Sequence, residues 1–220
     1  MKKKGLYISL AALIAFVIWT VLVRFVDVQT IGPESSAVGF ASLNGAFHAL
    51  TGVHMALYDL TDLLSVIPLG IIACFGLLGL YQWIRRKKLF CVDSSILVLG
   101  GFYVVVMAFY AFFEVVEVNY RPILIEGVLE TSYPSSTTML AMCVLPTAIM
   151  QLRSRIQNRA LNTCVTLALA AFTAFMVIGR LISGVHWLSD IIGGALLSTG
   201  LVVLYSWTNS YIRHRTAQKV

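Results

Sequence analysis

Apolar residues occur in long runs separated by short polar stretches. The runs occupy about 6–26, 63–84, 94–116, 135–152, 160–180 and 187–208. Each approaches the roughly 20 residues that an α-helix needs to cross a bilayer core. The pattern predicts an all-α polytopic membrane protein with six transmembrane helices in one integral membrane domain, residues 1–220. Segment 36–62 follows a different rule. Phe40, Leu43, Phe47, Leu50, Leu57, Leu60 and Leu64 recur at helical spacing, while Asn44, His48 and Thr51 form a polar face. That pattern predicts an amphipathic helix at the outer membrane face, bent near Gly52. The first run is too long for a signal peptide and lacks its small-residue cleavage site, so it reads as a retained span.

Composition agrees with the pattern. The chain is 59% hydrophobic and 12% charged, with a mean hydropathy of +0.86. A soluble domain does not bury that much apolar surface. The net charge is +6, and thirteen of the sixteen Lys and Arg fall in four clusters. These are Lys2-Lys3-Lys4, Arg85-Arg86-Lys87-Lys88, Arg153/Arg155/Arg159 and Arg213/Arg215/Lys219. Each adjoins the end of an apolar run, which is topology signalling and not nucleic-acid binding. The basic loops put both termini in the cytoplasm, and the expected location is a bacterial cytoplasmic membrane. Cys74, Cys91, Cys143 and Cys164 have no disulfide or metal spacing and read as small buried hydrophobes.

That orientation leaves only Arg24, Arg121 and Arg180 on the outer side. A cation on the disfavoured side at the membrane needs a local reason. Arg24, at a span end, can snorkel to headgroups. Arg121 lies in Asn119-Tyr120-Arg121-Pro122, and Arg180 precedes His186 and Asp190. His186 and Asp190 are four apart, which on a helix is one face. A carboxylate there can orient an imidazole and stabilise its charged form, and Arg180 is a permanent anion clamp. A third outer cluster, Ser132-Tyr133-Pro134-Ser135-Ser136-Thr137-Thr138, opens the fourth run. Proline followed by hydroxyls is a helix start, and free amides there can bind an anion. Taken singly, these residues can be a cap, a headgroup contact and an interfacial histidine. Together they suggest a histidine acting on a phosphate at the mouth of a membrane bundle.

In this order the three clusters resemble the type 2 phosphatidic acid phosphatase family of membrane lipid phosphatases, related to the vanadium haloperoxidases. The family motifs are Lys-x6-Arg-Pro, Pro-Ser-Gly-His and Ser-Arg-x5-His-x3-Asp. Arg121-Pro122 matches the first, Pro134-Ser135 half of the second, and Arg180, His186 and Asp190 the third at full spacing. The resemblance covers about residues 60–205. It implies that His186 attacks phosphorus to form a phosphohistidine and that Asp190 orients it. It also implies that Arg121, Ser135 and Arg180 hold the phosphoryl oxygens, with Ser136 and Thr137 beside them.

Four positions depart from the pattern. Glu114 stands for the family Lys, Ser136 for the Gly, Thr137 for the second-motif His, and Gly179 for the Ser. The missing His is the family's general acid, and a Thr hydroxyl is no proton donor near neutral pH. Three readings remain open. Another group supplies the proton, with His48, His54, Glu114, Glu117, Glu126 and Glu130 as outer-side candidates. Alternatively, the substrate has a weakly basic leaving group, as in a polyprenyl diphosphate. Finally, the protein binds lipid phosphates with weak or no turnover, or transports them. No internal symmetry favours a transporter, and no cluster completes a metal site. The expectation is a lipid phosphatase without metal or other cofactor, its partners being a lipid phosphate and the bilayer.

Overall fold

The computed structural model describes residues 3–217. Lys2 and Lys219, assigned above to the terminal basic clusters, lie outside the described residues. Eight α-helices follow in order: α1 (Lys4–Phe25), α2 (Ala41–Thr51), α3 (Met55–Leu64), α4 (Val66–Arg86), α5 (Ser94–Val115), α6 (Ser136–Arg153), α7 (Arg159–Ile182) and α8 (Leu188–Ala217). Among the described residues there is no strand, only isolated bridges such as Tyr120 with Thr131.

Five helical stretches are long and apolar enough to cross a membrane: α1, the α3–α4 run, α5, α7 and α8 up to Arg213. The expected fourth span, α6, is of another kind. Eleven of its eighteen residues are buried, enclosed by α4, α5, α7 and α8. Thr138, Thr147 and Gln151 sit fully inside it. A helix surrounded by other helices can carry such residues if they find partners. Thr147 Oγ1 donates to the Cys143 and Val144 carbonyls, close to Pro146, which has no N–H of its own. The surrounding helices are apolar outward: Ile14, Val17, Val104, Leu167 and Ile178 are all exposed. This inverts the pattern of a soluble bundle and suits lipid contact.

The amphipathic segment is two helices, and its faces are turned. The polar face points inward: Asn44 is fully buried, whereas Leu43, Leu50 and Leu60 are exposed. The chain breaks at Gly52, as expected, but α3 then runs almost directly into α4. The short interruption at Ser65 lies where Pro68 cannot donate to the turn before it. The cysteines also depart from expectation. Only Cys143 is buried; Cys74, Cys91 and Cys164 are exposed on the bundle surface, where a small soft side chain meets lipid at little cost.

Candidate active site

The loop between α5 and α6 folds back on itself. Arg121 N donates to the Glu130 carbonyl and Ser132 N to the Asn119 carbonyl, which brings Arg121 and Ser132 over the α7–α8 connection. That connection turns sharply at Gly184, where φ is +71° and a Cβ would lie 2.0 Å from the Gly52 carbonyl. Only glycine fits both demands. His186 follows it and is 4% exposed.

The imidazole is held in one tautomer. His186 Nδ1 lies 3.1 Å from the Ser132 carbonyl oxygen, which can only accept, so Nδ1 carries the proton. Nε2 is then the free lone pair, and Arg121 Nη1 donates toward it at 3.5 Å. Asp190 Oδ2 is 3.8 Å from Nδ1, too far for a hydrogen bond but close enough to act as a counter-charge. The carboxylate is fully buried and is held in place by donors from the Trp187 amide, Asn119 Nδ2 and Ser189 Oγ. Asn44 supports this shell by donating to Ser189 Oγ and accepting from the Ser189 amide. Burial pushes the His186 pKa down to about 4, with Arg121 and Arg180 adding to the effect and Asp190 opposing it. The ring is therefore neutral and nucleophilic at neutral pH.

Arg180, at the end of α7, is 2% exposed. Its Nη2 donates to Asp62 Oδ1 and to Thr137 Oγ1, both at 2.8 Å. The guanidinium also lies over the Tyr58 ring, 4.6 Å from its centre. Gly179 makes this approach possible, because a Cβ there would meet Thr61 Cγ2 at 2.8 Å. That is a physical reason for glycine where the family has serine. Arg121 is matched by Glu130, whose Oε2 lies 2.9 Å from Nε. The angle there is not that of a hydrogen bond, and the Nε–H has no such partner among the described residues.

These groups open on a cavity of about 560 Å³. Arg121, Ser136, Thr137, Arg180 and His186 line its polar wall; Leu69, Met107, Phe113 and Leu140 line an apolar one. Ser135 and Asp190 lie behind the wall. Ser135 Oγ is occupied as the N-cap of α6, accepting from the Thr138 amide at 3.4 Å. Neither His48 nor His54 reaches the cavity: His48 bonds to the Gly184 carbonyl and His54 to the Thr51 carbonyl. Of the carboxylates considered above, Glu114 and Glu130 line it. Asp62 and Tyr110, which sequence reasoning did not single out, line it too. Among the described residues no group of three or more His, Cys, Asp or Glu is placed to hold a metal.

Comparison with known proteins agrees with this picture. Residues 112–213 match the model of the PAP2 superfamily, so the resemblance read from the three motifs stands. A crystal structure of a transmembrane PAP2-type phosphatidylglycerolphosphate phosphatase from Bacillus subtilis aligns with a TM-score of 0.60. It is 19% identical, over 94% of this chain and 98% of that one. At that identity the likeness establishes the fold, a membrane PAP2 bundle. No curated protein matches the chain.

Proposed function

We propose that this membrane protein, of PAP2 type over its second half, hydrolyses a phosphate ester or diphosphate of a lipid through a phosphohistidine on His186. The observation that carries the reading is the fixed tautomer: Nδ1–H is tied to the Ser132 carbonyl, and Nε2 faces a cavity that also holds Arg121 and Arg180. Nε2 attacks phosphorus as the bond to the leaving oxygen breaks. The ring becomes an imidazolium, and Asp190 stabilises that charge. Water then attacks phosphorus, the P–N bond breaks, and phosphate leaves with His186 neutral again. Arg121, Arg180, Ser136 and Thr137 hold the phosphoryl oxygens, and capped Ser135 fixes the helix start beneath them. The distribution of basic loops supports an outer-face cavity with both termini cytoplasmic, in a bacterial cytoplasmic membrane.

Thr137 stands where the family keeps its general acid, and its hydroxyl oxygen is engaged by Arg180. The preferred substrate is therefore one whose leaving group needs no proton, such as a polyprenyl diphosphate leaving as a lipid monophosphate. The test is phosphate release from a panel of lipid mono- and diphosphates by purified protein in detergent, with chelator present. Metal-independent release, faster from diphosphates, is the expected result. No release from any member, with retained binding, would replace the enzyme by a lipid-phosphate-binding protein.

A further inference from the structure

A second polar cavity, of about 370 Å³, lies at the opposite end of the bundle. It is enclosed by the start of α5, the end of α6 and the last turns of α8. Ser94, Ser95, Gln151, Arg155, Asn209 and Arg213 are among its lining residues. Arg155 is held firmly, but by neutral oxygens only. It donates to the carbonyl and side-chain oxygens of Gln151 and, at 3.3 Å, to Ser95 Oγ. Gln151 is itself 1% exposed and is anchored by donating to the Ser95 carbonyl and the Tyr205 hydroxyl. The carboxylate at the cavity, Asp93, is engaged elsewhere: Oδ1 by Arg86 and Oδ2 by Gln82. Among the described residues neither Arg155 nor Arg213 pairs directly with a carboxylate, although Arg155 lies near enough to Asp93 for its charge to act on it.

Polar groups surround the two guanidinium groups. Asn209 lines the cavity with a carboxamide, whose NH2 group can donate to an anion. Ser94 and Ser95, in the first turn of α5, line the same space. Two guanidinium groups, a carboxamide and serine hydroxyls at a membrane edge match a phosphate carrying at least one negative charge. The basic loops put this end in the cytoplasmic leaflet, whose surface is negative because of anionic lipids.

We propose that this cavity binds the phosphate of an anionic phospholipid headgroup, at a site separate from the His186 cavity. The experiment is thermal unfolding of the full-length protein in neutral detergent with phosphatidylglycerol, phosphatidylcholine or inorganic phosphate. Wild type is compared with Arg213→Gln and Arg155→Gln. Binding of any of these at the His186 cavity contributes equally to all three proteins, so only the difference between them reads this site. Phosphatidylglycerol at a hundredfold excess over its dissociation constant should raise the wild-type midpoint by roughly 5–10 °C more than that of either variant. Arg213 lies in the last turns of α8, exposed, so Arg213→Gln keeps the test valid if Arg155→Gln fails to fold. Equal shifts in wild type and Arg213→Gln overturn the site. Equal shifts with phosphatidylcholine overturn its selection for anionic lipid. A difference produced in full by inorganic phosphate assigns the cavity to free phosphate and overturns the headgroup.

Discussion

The arginines of the His186 cavity and Arg155 at the other end of the bundle are held in different ways. In the His186 cavity each of the two arginines has a carboxylate beside it, Asp62 for Arg180 and Glu130 for Arg121. At the other end Arg155 rests on neutral oxygens. The difference lies in what each site must do with an anion. The side chain of Arg180 is 2% exposed, but that of Asp62 is 57% exposed; for Arg121 and Glu130 the figures are 12% and 42%. The cations are fixed and their partners are free to turn toward water. A phosphate can therefore take the place of the carboxylates, which turn to water as it binds. A turnover site needs such reversible neutralisation, because its anionic product must leave. A retention site does not.

The comparison breaks most completely at His186. His186→Ala removes the nucleophile and leaves both arginines in place. Phosphate release should fall at least about 10³-fold, while the purified variant still binds lipid phosphate. Undiminished release would end the phosphohistidine mechanism while leaving the anion site intact.

Thr137→His is the next largest change. It returns a proton donor to the first turn of α6 and removes the hydroxyl that accepts from Arg180. Alkyl monophosphate turnover should rise relative to diphosphate turnover, by up to about 10²–10⁴. If wild type already cleaves monoesters as fast as diphosphates, a cavity carboxylate such as Glu114 is supplying the proton, and the diphosphate preference is wrong.

Asp62→Asn sharpens the comparison directly. It removes the exposed half of the Arg180 pair and leaves the contacts of Arg180 with Thr137 and the Tyr58 ring. KM should fall severalfold with little change in kcat, because the substrate phosphate no longer competes with a carboxylate. Arg180→Met should instead lower kcat/KM by about 10²–10³, the usual cost of losing a donor to developing charge. A raised KM in Asp62→Asn would mean that the carboxylate positions Arg180 and does not mask it.

Much of this was legible in the sequence, for identifiable reasons. Helix positions were readable because apolar runs mark segments withdrawn from water, although they do not tell a lipid-facing span from the enclosed α6. The expected boundaries 94–116, 135–152 and 160–180 fall within two residues of α5, α6 and α7. Arg121, Thr137, Arg180 and His186 converge on one cavity, as their spacing around the membrane runs suggested. Three things were not legible. Helix periodicity marks two faces but not which one meets protein, so the inward turn of Asn44 was missed. Ser132 binds His186 through its backbone carbonyl, and every residue has one. Asp62 meets Arg180 across 118 positions, a separation that no local pattern encodes.

The smallest expected effect concerns pH, and it follows from the burial of His186. Its folded pKa, about 4, lies below the ordinary value near 6.5. Above pH 6.5 the ring is neutral in both folded and unfolded chains, and stability does not depend on it. Between pH 6.5 and about 4 the unfolded chain takes up a proton that the folded chain refuses. Folding stability therefore falls as pH falls, by at most about 1.4 kcal/mol per pH unit from this group. Below pH 4 both forms are charged and this slope ends. The opposite end of the bundle holds no such buried histidine among the residues described in side-chain detail. Denaturation midpoints of wild type and His186→Ala, followed from pH 7 to pH 4, isolate the contribution. The wild type should lose stability more steeply, and the two curves should run parallel above pH 6.5. Parallel curves down to pH 4 would mean that the imidazole titrates as it does in water, and that Nε2 is exposed to solvent rather than enclosed beside Arg121.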